Sequence, residues 1–261
     1  MATVSLYTAA SGLSALNTEL DVIANNLANV NTDGFKASRV NFQDLLYQEK
    51  ALPGVENSNG DKRPMGTYIG LGVRVSGTQL NFEQGSPLPT GRNLDVAVDG
   101  LGMFKVTVQA DRGVNNVAFT RAGNFSLNSD GEIVLATDQG RRLEPVITIP
   151  EDALQIDISQ DGKVTYSQPG NPDPIEAGQI ELSTFINSQG LKQIGENLFV
   201  ETAASGPPIT ANPGEQSLGI LQSGFVEASN VDPTMELVKL IKTQRAFEMN
   251  SNVIRAADET L

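Results

Sequence analysis

The stretch LYTAASGLSALNTELDVIANNLANV, residues 6–30, decides how this chain folds. Its apolar positions Leu6, Ala9, Leu13, Leu16, Leu20, Ile23, Leu27 and Val30 recur at alternating steps of three and four. That spacing predicts an α-helix with an unbroken heptad seam along one side. Asn29, Asn31 and the pair Asp33-Gly34 predict its stop, glycine being suited to the left-handed conformation that ends helices. A lone helix of this length is marginal in water, so the seam needs a partner.

The far end of the chain offers one. Asp232-Pro233 is a start signal, a capping carboxylate before a proline in the first turn. Leu240, Phe247, Ile254 and Leu261 follow at seven-residue intervals, and Leu237, Ile241, Ala246, Val253 and Ala257 widen the stripe. Both ends are thus predicted to be amphipathic helices, packing on each other or on the same helices of neighbouring subunits. Asn25, Asn26, Asn29 and Asn31 read either as register-setting positions between helices or as caps and surface, and Gln244 and Ser251 raise the same alternatives. Membrane-surface helices carry flanking Lys or Arg; residues 1–35 contain none, which favours helix–helix packing.

Between the helices the pattern changes to β. Val96 to Val98, Phe104 to Val108, Glu132 to Leu135, Val146 to Ile149, Lys163 to Tyr166, Gln179 to Phe185 and Asn197 to Val200 are short alternating or apolar runs. Turn pairs punctuate them: Asp99-Gly100, Asp130-Gly131, Asp161-Gly162 and Pro169-Gly170. The Asp130 and Asp161 turns predict tight hairpins. Ahead of this region, an apolar cluster at Phe42 to Tyr47 precedes a Gly/Pro/Asn-rich segment, Leu52 to Gly72, predicted as an extended arm or long hairpin. The fold class is α+β, mainly β, with the terminal helices forming a coiled-coil-like domain.

Composition narrows the function. The 261 residues include no His, Cys or Trp, which removes Ser-His-Asp and Cys-His catalysis and any His- or Cys-ligated metal. With 18 Lys and Arg against 31 Asp and Glu, the net charge is −13, unsuited to nucleic acid or an anionic membrane. Eleven acids lie between Glu144 and Glu215 against only Lys163 and Lys192, which reads as a solvated acidic face. The segment from Asp157 to Asp161 opens like a calcium loop, but Gln168 stands where a bidentate Glu belongs. Carboxylate pairs such as Glu151/Asp152 are expected by chance in so acidic a chain. The start of the chain lacks the basic residues of a cleaved signal, and no apolar run approaches a membrane span. No cofactor is implied.

Two terminal motifs carry a resemblance. Asp21-Val-Ile-Ala-Asn-Asn-Leu-Ala-Asn-Val-Asn-Thr-Asp-Gly-Phe35 resembles the N-terminal signature of bacterial flagellar rod and hook proteins. Gly224-Phe-Val-Glu-Ala-Ser-Asn-Val-Asp-Pro-Thr-Met-Glu-Leu-Val238 with Gln244-Arg-Ala-Phe-Glu-Met-Asn-Ser251 resembles their C-terminal one. Asp95 to Phe104 and Phe119 to Phe125 are similar to segments of the family's β domain, although Met103 stands where a second aromatic is expected. Phe42 to Gln48 and Ile194 to Thr202 point to the distal-rod branch, whose last helix is expected to run a few residues past Leu261.

The resemblance implies a structural subunit, not an enzyme. Relatives pass unfolded through the flagellar type III export apparatus without a cleaved signal peptide and polymerise helically with themselves into a hollow, torque-bearing shaft. Its neighbours would be proximal rod proteins below, hook subunits above, and outer-membrane and peptidoglycan ring proteins around it as a bushing. Residues 1–34 with 229–261 would form the inner tube, residues 35–91 with 212–228 a connecting domain, and residues 92–211 an outer β domain. The expected assembly positions are Leu6, Leu13, Leu16, Leu20, Ile23, Leu27, Val30, Leu237, Leu240, Ile241, Phe247 and Ile254. A stiffening arm at about 42–72 would act through Phe42, Leu45, Leu46 and Tyr47. The alternatives are a proximal-rod or hook-type member of the same family, a β-rich cell-surface binding module, and a carboxylate-based hydrolase of cell-wall glycan.

Overall fold

Both heptad segments are helical in the computed structural model, which describes residues 2–56, 62–109 and 112–259. Leu261 lies outside them, as do residues 57–61 of the expected arm. Helix α1 spans Ala2–Ala28 and α2 spans Pro233–Glu259. Asp232 caps α2: its Oδ1 accepts the N–H groups of Thr234 at 2.8 Å and Met235 at 3.2 Å, two donors that a helix start leaves open. At the end of α1 the chain turns at Asn29, where Thr32 donates to both the carbonyl and the side chain, and Gly34 takes φ +68°. Val30 therefore sits half-buried in this turn, just beyond the helix whose seam it extends in sequence.

The chain divides into two compact units, residues 1–28, 38–80 and 232–261 in one and residues 29–37 and 81–231 in the other. In the first, α1 and α2 run antiparallel. Asn26 meets Glu236 at one end, and Gly12 lies against Asn250 fourteen residues away at the other.

The rest of this unit is one long two-stranded ribbon. Strand β1 (Ser38–Asp44) pairs with β4 (Val73–Leu80), and β2 (Tyr47–Ala51) with β3 (Thr67–Gly70), all antiparallel. Hydrogen bonds from Leu45 N–H to Gly72 O and from Leu71 N–H to Leu46 O join the two ladders, and a bridge between Glu56 and Lys62 extends them. From Ser38 to Glu56 the ribbon reaches roughly 60 Å at ~3.3 Å per residue. Its base is fastened along α1. The Asn26 amide both donates to Ser38 O, at 2.8 Å, and accepts from Ser38 N–H, at 2.9 Å, while Ser11 Oγ accepts Val73 N–H at 3.3 Å. Glycine is required at position 72, where φ is +115° and a Cβ would fall 2.1 Å from Ser11 Oγ.

The second unit is β-rich. Its strands are β5 (Pro87–Pro89), β6 (Val96–Asp99), β7 (Met103–Thr107), β8 (Val117–Thr120), β9 (Phe125–Leu127), β10 (Ile133–Leu135), β11 (Gln155–Ile158), β12 (Lys163–Gln168), β13 (Asn171–Gln179), β14 (Leu182–Thr184), β15 (Lys192–Gly195), β16 (Leu198–Val200), β17 (Ile209–Ala211), β18 (Ile220–Ser223) and β19 (Phe225–Glu227). The largest sheet runs β15-β16-β8-β7-β14-β17, and β11-β12-β13 form a second. One core serves both: Val96, Val106, Leu143, Ile180 and Leu182 are fully buried, and Phe104 meets Phe125 edge-on at 5.1 Å. Both Asp-Gly turns close hairpins, β9 to β10 and β11 to β12, and Pro169-Gly170 joins β12 to β13. The run Val146 to Ile149 is an exception. Bracketed by Pro145 and Pro150, it makes only a bridge at Thr148, while Ile147 and Ile149 are buried in the core. The last strands return to the first ones: β18 pairs with β6, and β19 with β5.

Replacing Gly34 by Ala tests the junction after α1. A Cβ there would sit 2.6 Å from Ala122 N on a backbone at φ +68°. Loss of about 2–3 kcal/mol in chemical denaturation is expected.

Candidate assembly interface

The face of α2 turned to α1 is a strict heptad of mixed polarity. Glu236, Leu240, Thr243, Phe247, Asn250, Ile254 and Ala257 follow at steps of four and three and are all buried or half-buried. Leu240, Phe247 and Ile254 supply its large apolar side chains. On α1, Ala9, Ala15 and Ile23 are buried and Leu6, Leu13, Leu16, Leu20 and Leu27 are half-buried.

The polar positions of the seam escape an apolar periodicity, and they set the register. The buried Glu236 carboxylate accepts from Asn26 Nδ2 at 3.3 Å and from Lys239 Nζ at 2.6 Å. Thr243 turns its hydroxyl back onto Lys239 O, 3.0 Å away. Asn250 is admitted by Gly12, where a Cβ would come 3.0 Å from its Nδ2. Of the asparagines that close α1, Asn26 is the one that is buried, and it binds the ribbon and α2 at once.

Other expected positions stay open. Leu237 and Ile241 are 46% and 51% exposed on α2. On the ribbon, Leu45 is half-buried, whereas Phe42, Leu46 and Tyr47 are exposed, Leu46 at 82%. Leu52, Val55, Met65 and Tyr68 add to this exposed apolar surface. The Tyr47 hydroxyl is held above its usual pKa by its hydrogen bond to the Asp44 carboxylate. A cavity of about 350 Å³ opens between α1, α2 and the ribbon, walled by Val4, Ala9, Ile69 and Val253 with Lys50 at its edge.

In the β-rich unit the two terminal motifs meet in a buried charge cluster. Glu227 Oε1 accepts from Lys36 Nζ at 2.6 Å and from Gly85 N–H at 2.9 Å, and Oε2 pairs with Arg121 Nε at 2.8 Å. Lys36 also donates to Glu83 O, and Arg121 donates to the carbonyls of Gly100 and Gly102. All three side chains are at least 95% buried. Burial pushes the Lys36 ammonium below its ordinary pKa, and the Glu227 charge opposes that shift. Beside them Asn230 accepts from Ala37 N–H and donates to Asn81 O and Glu83 O. No local pattern in the sequence signals this cluster: Phe225-Val226-Glu227 does not alternate, and Lys36 lies 191 residues from its carboxylate.

Among the described residues no group of three or more Asp or Glu is placed to hold a metal ion, and no helix is long and apolar enough to cross a membrane. The Asp157 to Asp161 segment is the β11–β12 hairpin, its Asp157 carboxylate accepting from Asn93 and Gln155.

Comparison with known proteins accounts for both motifs. The family "Flagella basal body rod protein" matches residues 6–36, "Flagellar hook protein FlgE/F/G D1 domain" matches residues 97–166, and "Flagellar basal body rod FlgEFG protein C-terminal" matches residues 222–261. The flagellar basal-body rod protein FlgG of Caulobacter vibrioides is 46% identical over 98% of this chain and 96% of its own length. The chain belongs to the flagellar basal-body rod proteins. FlgG of Borreliella burgdorferi is 43% identical at the same coverage, whereas rod protein FlgF of Caulobacter vibrioides is 34% identical over 98% of this chain and 93% of its own length. This rod family is a structural one, and in this member both terminal family matches contribute to the same charge cluster, through Lys36 and Glu227.

Two substitutions separate the roles within that cluster. Glu227→Gln leaves two buried cations without an anion and is expected to lower stability by about 3–5 kcal/mol. Lys36→Met leaves the Arg121–Glu227 pair intact and is expected to lose clearly less. Urea melts of the full chain measure both, and equal losses would count against the shared-carboxylate assignment.

Proposed function

We propose that this chain is a structural subunit of the flagellar distal rod, which polymerises helically with copies of itself into a stiff, hollow shaft. The observation that carries this reading is a full-length match to FlgG proteins, at 46% in one organism where FlgF reaches 34%. The fold supports it. The helices bury one seam between themselves and keep large apolar side chains in solvent, and the ribbon exposes Leu46, Met65 and Tyr68. A monomer has little use for such surface; a polymer covers it.

In this reading the residues divide by task. Leu13, Leu16, Leu20, Ile23 and Leu27 with Leu240, Phe247 and Ile254 hold the helix pair together, and Leu237 and Ile241 meet neighbouring copies. Phe42, Leu46 and Tyr47 brace the shaft through the arm. Rod proteins below, hook subunits above and ring proteins around the shaft are its partners, and the subunit reaches the basal body through the flagellar export apparatus. It carries out no catalysis.

Electron microscopy of basal bodies from cells lacking this chain tests the function. Truncated rods without hooks, in non-motile cells, are expected; complete basal bodies in motile cells would overturn it. Leu20→Asp and Phe247→Asp each place a charge in the helix seam. Each is expected to abolish rod completion while the β-rich unit keeps its near-ultraviolet and denaturation signature, and a normal shaft from either variant would sink the seam assignment.

A further inference from the structure

The helix pair carries charges that match but do not meet. On α2 the side opposite Glu236, Thr243 and Asn250 presents Val238, Ile241, Arg245 and Met249, with Lys242 beside them. Val238, Ile241 and Met249 are 42%, 51% and 63% exposed. On α1 the side turned away from Ala15 and Asn26 presents Tyr7, Ala10, Ser14, Asn17 and Asp21, all exposed. Helix α1 contains no Lys or Arg, so its only charges are Glu19 and Asp21. Among the described residues, Asp21, Lys242 and Arg245 form no ion pair and no side-chain hydrogen bond.

Register explains why. The contacts of Asn26 with Glu236 and of Gly12 with Asn250 fix the antiparallel alignment, which brings Asp21 level with Ile241 and Lys242. The acid and the bases nevertheless lie on the far sides of their helices, each turned away from the shared seam. Within one chain they cannot touch. A second copy in the same orientation, laid against the first, brings an outward α2 face onto an outward α1 face at the level where the charges are opposite.

We propose that the outward face of α2 in one copy seats on the outward face of α1 in the next, Asp21 pairing with Lys242 and Arg245. By the same register Met249 then covers the short side chain of Ser14 and Val238 that of Ala24, with Ile241 between them at the level of Asp21. The two surfaces differ, so the contact is heterologous and leaves one of each kind free, which lets copies add without end. The inference rests on the rod reading and names the faces through which its helices meet.

Charge reversal tests it in cells whose only copy of the chain is the variant. Asp21→Lys alone, or Lys242→Glu with Arg245→Glu, is expected to reduce swimming-zone expansion at least about tenfold, since like charges oppose each other across the contact. The three changes together are expected to restore expansion to within about twofold of the unaltered chain. Normal swimming with either reversal alone, or no restoration by the combination, would overturn the contact. All three positions are exposed, and thermal melts of the purified full chains check that folding is unchanged. The chain has no cysteine. Asp21→Cys with Lys242→Cys therefore gives an independent readout: a short bismaleimide should yield a ladder of multimers from isolated basal bodies, and monomer alone would overturn the contact. Cells that build complete rods without any copy of the chain would instead overturn the rod reading itself, and the contact with it.

Discussion

One carboxylate organises the junction of the two chain ends. Glu227 lies 191 residues after Lys36, and it is shared by that lysine, by Arg121 and by a backbone N–H. Taking three charged groups out of water is unfavourable unless each finds its partner, so the arrangement tolerates few alternatives. The residues that follow α1 are thereby held next to those that precede α2. This cluster and the Asn230 bridges fix that juxtaposition within the β-rich unit.

The polar layers of the helix seam act in a similar way on a smaller scale. An all-leucine seam would pack in several registers, because each heptad shift replaces apolar contacts with equivalent ones. Asn26 and Glu236 remove that freedom, since either would be buried without a partner after a slip. Asn26 also ties the first ribbon strand to the helix, so helix register and ribbon placement are set by one side chain.

How much of this was legible depended on periodicity. Leu6 through Leu27 and Leu240, Phe247 and Ile254 announce their helices because burial repeats every 3.5 residues, and Asp130-Gly131 and Asp161-Gly162 announce hairpins because few residues tolerate those turns. The ribbon was half visible: its Gly/Pro/Asn content marks an arm, but a two-stranded ribbon has no buried face to impose alternation on Ser38 to Leu80. Val146 to Ile149 shows the opposite case, an apolar run buried by core packing while its flanking prolines limit pairing to one bridge. Lys36, Arg121 and Glu227 could not be joined by inspection, because pairing across 191 residues leaves no local pattern. Asn25, Asn26, Asn29 and Asn31 looked alike in sequence, and only the antiparallel alignment singles out Asn26.

The closing strands bear on the order in which the chain can fold. Strands β18 and β19 pair with β6 and β5, near the start of their unit, and Leu221 and Val226 are buried there. A chain made or delivered from its N-terminus thus lacks two strands, part of its core and the counter-ion of Lys36 and Arg121 until its last forty residues are free. Contacts of such long range form slowly, and they cannot form in a fragment. The partial chain is consequently poor at committing its β-rich unit to structure until those strands arrive.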